Sequence, residues 1–532
     1  MENIEQKKEI DWASLKITDE DLEETYNLLL EKEIPMTPLE ISMQIIKSRI
    51  DFFKKDAVKE TKNEVKVYRP KDSYKPGDEI IFSHLNNAKG IVTAIRNGLN
   101  PDEQQFKVIT VKFEDDSIKQ YASELKNHKI NDEPIGSTDQ MNNCDPGFVY
   151  KKYGISIAQK VTSTLEKNEE LICISGHWFP KALVLDINPG YLNLAEAVLE
   201  MEEGRPIPTS EILKQIEYPT DSNQKLTEFS FNYAMDHDER FDEVGPCGKI
   251  LWVLQQMEPE DVRKRPLTLK YFPLTMESTE KTDALIDELD FYDELDPEAL
   301  EIPDDIHDEA ELSINYPHWK AGTLPLLGSI RSIFPTALET NSVYFSFHDV
   351  NADIDFPGWV IISENYICGL KNWYRTNNVI PGSFIHISQS NIDGQVNINL
   401  IPPKSHKDWI LTALFNQEEH ITFETRQQNI NSKSHDYMSI YVENCPELDS
   451  TWETFNKEKV NIRKVIDYVF QDLSKQNPQR IVHFQQFYAA FNMLRRCPPK
   501  PLFYTLLKDN DYILLNDFYF KKNINDNSGD QN

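Results

Sequence analysis

Apolar residues recur along this chain with two different periods, and the period changes several times. Over residues 11–57 they recur at helical spacing, interrupted by a break at Pro35 and Pro38, which predicts two helices. Over residues 65–130 they alternate in short runs between Gly, Asn and Asp turns, which predicts a small antiparallel barrel. The pattern therefore begins with an N-terminal helical module followed by a β-barrel.

Two further helix-and-strand patterns follow this barrel. Residues 148–188 predict a helix ending near Leu165 and a hairpin of strands 171–174 and 182–185, which would fit as part of a winged-helix unit. Residues 190–256 predict three helices and then two strands around the turn Gly245–Gly248. Three helices followed by a β-hairpin are the elements of a winged helix.

The C-terminal half repeats this alternation. Residues 318–402 are strand-rich, and residues 403–455 are a mixed α/β connector with a predicted helix at 407–415. Residues 459–522 predict helices at 460–473, 482–494 and 502–508 and then a hairpin at 512–520, which indicates a second winged helix. The chain is thus predicted to be an α+β, multidomain protein in which winged-helix modules and small antiparallel β-barrels are joined by an acidic linker.

That linker, residues 277–312, separates the two halves. From Glu277 to Glu311 it has sixteen acidic residues and one basic residue, which is −15 of the chain's formal net charge of −32. Its few apolar residues predict disorder or a docked strip. We hypothesise that it competes with phosphate for the C-terminal module, whose residues 459–522 have a net charge of +6.

Three ranges resemble known families. Phe241 to Trp252, with its Val-Gly-Pro-x-Gly turn, resembles the wing of HARE-HTH winged helices over about residues 192–253. The strand with Trp359, the helix from Leu370 and the strand closing at Ile385 resemble a B3-like DNA-binding pseudobarrel over about residues 318–402. Residues 65–130 resemble SH3-like barrels of the Tudor and KOW type. These resemblances imply DNA binding, and the HARE-HTH family includes the delta subunit of bacterial RNA polymerase.

From its cysteine spacing and apolar content, we expect the protein to be cytoplasmic. The six cysteines form no C-x-x-C pair, no window is long and apolar enough for a membrane span, and the N-terminus has no secretory signal. We therefore expect reduced thiols, no disulfide framework and no membrane partner.

Catalytic motifs are not evident, so we expect a protein that is not an enzyme, with no cofactor, metal or small-molecule substrate. The least favoured hypothesis is a structure-specific nuclease, because Asp115/Asp116 with Glu124 and Lys126 has the crude spacing of a metal site. In such a site two acids, here Asp116 and Glu124, would hold Mg²⁺ and the lysine would position water. The favoured function is DNA binding in transcription or DNA-related regulation. The alternative is a protein-interaction scaffold whose winged helices and acidic segment bind a partner such as RNA polymerase, a nuclease or another basic protein.

The candidate nucleic-acid contacts are cationic and amide side chains on the two predicted winged helices. In the C-terminal module they are Arg480, His483, Gln486, Arg495, Arg496, Lys500, Lys508, Lys521 and Lys522. In the first predicted winged helix they are Gln224, Lys225 and Asn232 on the third helix, for which packing against another domain is the competing interpretation.

Overall fold

The computed structural model combines helices with several small sheets, which confirms the α+β class. It describes residues 11–60, 66–82, 85, 88–100, 105–113, 115–126, 128–131, 145–219, 223–272, 295, 307–337, 339–401, 406–415, 421–442, 446–455 and 461–523. The chain divides into two compact units, Met1–Leu185 with Ser222–Phe229, and Asp186–Asp221 with Ser230–Asn532.

The described residues of the first unit form three long helices and two separate sheets. Its elements are α1 (Asp19–Lys32), α2 (Pro38–Glu60), β1 (Lys66–Val67), β2 (Glu79–Phe82), β3 (Ala88–Asn97), β4 (Lys107–Phe113), β5 (Ile118–Ser123), α3 (Pro146–Leu165), β6 (Leu171–Ile174) and β7 (His177–Pro180). Helix α1 begins at a capping box, in which Thr18 and Asp21 satisfy each other's backbone N–H groups. Strands β1 to β5 pair in chain order around a small core of rings that includes Tyr68 and Phe82.

Helices α1, α2 and α3 and the hairpin β6–β7 share one hydrophobic core. It includes Leu29 and Ile46 from the N-terminal helices with Ile157 from α3 and Trp178 from β7. Residues 11–57 and 148–188, predicted as separate modules, are therefore one module, and the five-stranded sheet is inserted between its second and third helices. The pattern concealed this because the two halves of the core are far apart in sequence.

The hairpin of this first module is shorter than predicted. Strand β7 is His177–Pro180, and residues 181–183 form a 3₁₀ turn, so the prediction of a strand at 182–185 was wrong. The strands are joined by Ser175 and Gly176, both at positive φ (47° and 74°), which suits a two-residue hairpin turn. A run rich in large rings therefore forms the strand itself.

The second unit contains the remaining elements. They are α4 (Pro189–Met201), α5 (Thr209–Gln215), α6 (Gln224–Asp236), β8 (Phe241–Glu243), β9 (Trp252–Leu254), α7 (Glu260–Arg263), β10 (Glu309–Ser313), α8 (Tyr316–Ala321), β11 (Thr323–Pro325), α9 (Gly328–Arg331), β12 (Ser342–Asp349), β13 (Ile354–Ile361), β14 (Tyr366–Cys368), α10 (Lys371–Thr376), β15 (Phe384–Gln389), β16 (Gln395–Leu400), β17 (His406–Phe415), β18 (Ile421–Ile430), β19 (Ile440–Val442), α11 (Pro446–Phe455), α12 (Ile462–Ser474), β20 (Ile481–His483), α13 (Phe484–Leu494), α14 (Pro499–Lys508), β21 (Tyr512–Leu514) and β22 (Tyr519–Lys522). The first turns of α6, up to Phe229, belong to the first unit.

The central sheet of the second unit has seven strands in the order β10-β15-β16-β12-β13-β14-β11. Only the β12–β16 pair is parallel. Strand β10 falls at the end of the predicted acidic linker, so Glu309 to Leu312 are sheet and not linker. The alternation in this strand explains the difference, because Leu312 and the partly buried Ala310 face the core while Glu309 and Glu311 are exposed.

A second sheet contradicts a helix prediction. Residues 407–415 lie in β17, which pairs antiparallel with β18 and parallel with β19. Four consecutive residues, Ile410 to Ala413, are buried, and this continuous burial is typical of a strand covered on both faces. A short apolar run cannot be assigned to helix or strand by its period alone.

One order of elements occurs three times in the described part of the chain. In each case a helix is followed by a short extended stretch, two more helices and a hairpin, and the extended stretch pairs with the last strand of the hairpin. The paired residues are Met36 with Trp178, Ile207 with Trp252, and β20 with β22. We call these the first module (α1, α2, α3, β6, β7), the second module (α4, α5, α6, β8, β9) and the third module (α12, β20, α13, α14, β21, β22).

Candidate nucleic-acid interface

The third module presents its predicted phosphate contacts around a three-stranded sheet of order β20-β22-β21. Arg480 precedes β20 at a positive φ of 58°, and Lys521 pairs across the sheet with Ile481 and Ile513. Arg480, Lys521 and Lys508, at the end of α14, are exposed. These three cations therefore lie where a phosphate group can reach them.

Arg495 and Arg496 are buried, so their prediction as phosphate contacts was wrong. They are 0% and 1% exposed. The Arg495 guanidinium lies 3.1 Å from the ring centre of Phe272, and that of Arg496 lies 4.2 Å from the ring of Tyr271. Arg496 also donates from Nη1 to the Leu269 carbonyl at 2.7 Å and from Nη2 to the Tyr271 hydroxyl at 3.1 Å.

The chain before the acidic segment thus covers both arginines. The Phe272 backbone N–H donates to the Arg496 carbonyl at 2.9 Å, which extends the contact along the main chain. Burial lowers the pKa of Arg495. Position 495 directly follows α13, whose residues are almost all buried. The apolar run that ends at Leu494 was the one sequence signal that the two arginines lie near a core. Tyr271 and Phe272 were not predicted to have a role.

His483 is also unavailable to phosphate. It is 5% exposed, and its ring stacks on Tyr437 with centres 4.0 Å apart. Burial lowers the pKa of His483 to about 4, so the ring is neutral at pH 7. A buried neutral histidine stabilises the junction between β20 and residue 437 and does not attract an anion, which corrects the prediction.

The other candidates in the third module differ in their access. Gln486 and Lys500 are half-buried. Lys522 forms an ion pair with Asp467 at 2.5 Å, and Tyr512 donates to the same carboxylate at 2.7 Å. The Lys522 ammonium is therefore engaged within the module.

Most acidic side chains of the third module are engaged in ion pairs within the module. Arg463 pairs with Asp509 at 3.0 Å and Asp511 at 2.5 Å, and Lys475 pairs with Asp472 at 3.0 Å. Because these acids are neutralised locally, they contribute little field against an anion near Arg480 and Lys521. The positive balance of the module is thus concentrated on its exposed cations.

The predicted base-reading helix of the second module, α6, keeps two of its three candidates exposed. Gln224 and Lys225 are exposed, and the Gln224 amide donates to Glu228 at 2.9 Å. Nearby on the same helix, the Phe229 ring lies 5.3 Å from that of Phe179 within the first unit. The competing interpretation, that this helix packs against another domain, stays a prediction.

Asn232 is a structural residue, which corrects its prediction as a base contact. It is 4% exposed, and its Oδ1 accepts from Trp252 Nε1 at 2.9 Å and from the Thr209 hydroxyl. The Thr209 hydroxyl also accepts from Trp252 Nε1 at 3.1 Å. This triangle joins α5, α6 and β9 inside the second module.

The hairpin of the second module packs against the central sheet of its own unit. The Tyr344 N–H donates to the Val244 carbonyl at 2.8 Å, and the Cys247 N–H donates to the Thr336 carbonyl at 2.7 Å. Val244 shares a core with Trp359 of the sheet. The turn that resembles a HARE-HTH wing is therefore occupied by an intramolecular contact.

The acids proposed for a nuclease site have local partners. Asp115 accepts from the Ser117 N–H at 3.0 Å, Asp116 pairs with Lys112 at 2.7 Å, and Glu124 pairs with Lys107 at 2.9 Å. Across the described part of the chain, no group of three or more His, Cys, Asp or Glu side chains could hold a metal ion. This geometry gives no support to the nuclease reading.

Comparisons with known proteins leave the family open. No family model matches the chain, no curated protein is significantly similar to it, and no solved structure matches it. None of the helices in the described ranges is long and apolar enough to cross a membrane.

Proposed function

We propose that this is a non-enzymatic, multidomain nucleic-acid-associated protein that binds DNA in transcription or DNA-related regulation. The observation that carries the proposal is the threefold recurrence of one order of elements. A helix, a short strand, two helices and a hairpin whose last strand pairs with the first strand are the parts of a winged helix, a fold widely used to bind DNA. Fold alone does not define function, so the proposal rests equally on exposed charge.

The exposed charge of the third module supports DNA as the ligand. Arg480, Lys508 and Lys521 are exposed on a module of net charge +6, in a chain whose net charge is −32. A local cationic surface on an acidic protein attracts a phosphate backbone over about one Debye length, ~8–10 Å in physiological salt. We therefore assign phosphate contact to these three residues.

The test is the salt dependence of duplex binding by the full chain. In R480Q/K508Q/K521Q we expect the slope of log K against log [salt] to decrease in magnitude by about 2.7, since each phosphate contact contributes ~0.9. Fluorescence anisotropy with a mixed-sequence DNA duplex at several salt concentrations measures this slope.

The matched control is K371Q/R375Q/K407Q, which removes three exposed cations of the same unit that lie outside the third module. It makes the same change in net charge, so it should leave the slope within about 0.5 of the wild-type value. If the two triple variants have the same slope, the third module does not contact phosphate and this assignment is wrong.

A protein-interaction scaffold is the second candidate, and the hairpin of the second module favours it. That hairpin contacts protein through backbone hydrogen bonds, from Tyr344 of the central sheet to Val244 and from Cys247 to Thr336, which precedes strand β12. A hairpin that already contacts protein within the chain supports a role of these modules in protein binding. Failure of the full chain to bind any duplex at low salt, with a protein partner retained, would favour this candidate.

A further inference from the structure

The third helix of the first module presents an exposed cationic face that sequence patterns did not reveal. In the recurring order of elements, α3 has the position that α6 and α14 have in the other two modules. Its sequence, PGFVYKKYGISIAQKVTSTL, has three lysines and no acidic residue over 20 residues. Because the five-stranded sheet is inserted between α2 and α3, the sequence places this helix about 85 residues after its partner helix.

One face of α3 is buried and the opposite face is open. Val149, Ile157, Val161 and Leu165 lie in the core of the first module. The opposite face contains exposed Lys152, Ile155, Ser156, Gln159 and Ser163, with Lys151 at its margin. Ile155 is 72% exposed, so its side chain is accessible on this face.

The chemistry of this face matches a DNA groove. Lysines supply phosphate contacts, amide and hydroxyl groups read base edges, and an exposed aliphatic group can contact the thymine methyl. The Lys152 ammonium lies 5.2 Å from the Tyr153 ring centre, an arrangement that leaves its charge available. At ~1.5 Å per residue the helix is about 30 Å long, enough to cross the major groove, which is ~12 Å wide.

Helices α6 and α14, the third helices of the second and third modules, are less suited to contact a DNA groove. Helix α6 contains Glu228 and Asp236, and its Asn232 is buried. Helix α14 buries Leu502, Phe503, Tyr504 and Leu506, which leaves a narrower exposed face. Of the three equivalent helices, α3 has the widest exposed face, and like α14 but unlike α6 it contains no acidic residue.

We infer that α3 is the groove-reading helix of this protein, with double-stranded DNA as its ligand. The inference rests on the proposed function but concerns a different surface from Arg480, Lys508 and Lys521. Lys151 and Lys152 contact phosphates, and Ser156 and Gln159 face the base edges. The acidic residues that follow the helix begin at Glu166, beyond its last turn.

The test uses K151Q/K152Q in the full chain. Removing two phosphate contacts should decrease the magnitude of the salt slope by about 1.8 and weaken binding about 10- to 100-fold near 0.1 M salt. The control K71Q/K75Q removes two exposed lysines from the same unit, away from α3, and should leave both quantities unchanged. The probe is a mixed-sequence DNA duplex of about three helical turns.

A second variant separates base contact from charge. S156A/Q159A removes no charge, so it should leave the salt slope unchanged while it reduces discrimination among duplexes selected from a random pool. Circular dichroism and hydrogen exchange of residues 145–165 check that each variant keeps the helix.

The outcomes distinguish this inference from the proposed function. If K151Q/K152Q behaves as its control while R480Q/K508Q/K521Q lowers the slope, the inference is wrong and DNA binding stands. If neither set of variants changes duplex binding, both are wrong. If K151Q/K152Q releases a protein partner and leaves duplex binding intact, α3 is a protein-docking face and the inference is overturned.

Discussion

Substitution of Asn232 tests whether this residue stabilises the second module or contacts DNA bases. Its Oδ1 is the acceptor for the Trp252 indole and the Thr209 hydroxyl in a site that is almost fully buried. In Asn232→Ala, Trp252 keeps its bond to Thr209, but the Thr209 hydroxyl loses its acceptor. A buried donor left without a partner costs about 1–3 kcal/mol, and the missing amide leaves a small cavity worth about 1 kcal/mol.

The expected loss of local stability is therefore about 2–4 kcal/mol. Hydrogen exchange suits this measurement, because it reports local opening in a chain of several modules that will not unfold in one step. Since 1.36 kcal/mol is a factor of ten, exchange in residues 189–256 should accelerate by about 30- to 1000-fold. The control is Gln224→Ala, an exposed position on the same helix, where we expect a change below about 0.5 kcal/mol.

A different result would contradict this reasoning. If Asn232→Ala leaves exchange at the level of the control but weakens duplex binding, then Asn232 is reached by DNA and the buried triangle does not stabilise the module. Thr209→Val provides a second check, because it removes the other member of the triangle and should accelerate exchange over the same residues.

Three further predictions concern the second unit. Burial and a hydrogen bond with Asp242 raise the pKa of Glu258 to about 8, so the folded state keeps a proton that the unfolded chain loses. The free energy of unfolding should therefore fall as the pH rises from about 4.5 to 8. Glu258→Gln should flatten this dependence in thermal melts, and Glu260→Gln, at an exposed position, should not. Gly382 has a φ of +88°, and a Cβ there would lie 2.4 Å from the nearest side chain, so Gly382→Ala should lower the free energy of unfolding in urea by more than about 2 kcal/mol. Gly394, at a φ of +75°, has open space around it, so Gly394→Ala should lower it by about 1 kcal/mol. Equal losses of stability in the two variants would refute the steric argument. Replacing the acids between residues 277 and 306 by their amides should strengthen duplex binding at low salt if they compete with phosphate, and an unchanged affinity would make this segment a spacer.

The acidic-segment hypothesis lies mostly outside the described residues. Between residues 277 and 306 the structure describes Leu295, which is 0% exposed within the core that also contains the helices of the third module. The hypothesis itself stays a prediction. Amide replacement tests it without disturbing this apolar contact.

Periodic segments were predictable because each buries one face. The sequence patterns placed α6 and the hairpin of the third module close to their observed positions, since their apolar spacing follows from a single core. The first module was not predictable as one body, because an inserted sheet separates two halves that share a core. No local pattern records a contact between residues more than 100 positions apart.

Candidate contacts were harder to predict than elements because charge was taken as a sign of exposure. Arg495, Arg496 and His483 are polar residues that the fold buries under rings from residues 271, 272 and 437. Arginine is suited to this role, since its planar cation stacks on aromatic faces and is more weakly hydrated than an ammonium. Arg480 precedes β20 and Lys508 ends α14, whereas Lys521 lies within β22, where it is exposed while its neighbour Phe520 is buried.

The sheet inserted between α2 and α3 also affects how the first module assembles. In an unfolded chain, joining these helices closes a loop of about 85 residues, which costs about 1 kcal/mol more than closing one of about 27 residues. Strands β1 to β5 span 58 of those 85 residues, so that once they have paired, 27 residues of connecting chain remain. The inserted sheet thus shortens the loop that must close between α2 and α3. Substitutions that destabilise its strands should therefore slow the folding of the first module, although the sheet does not share that module's core.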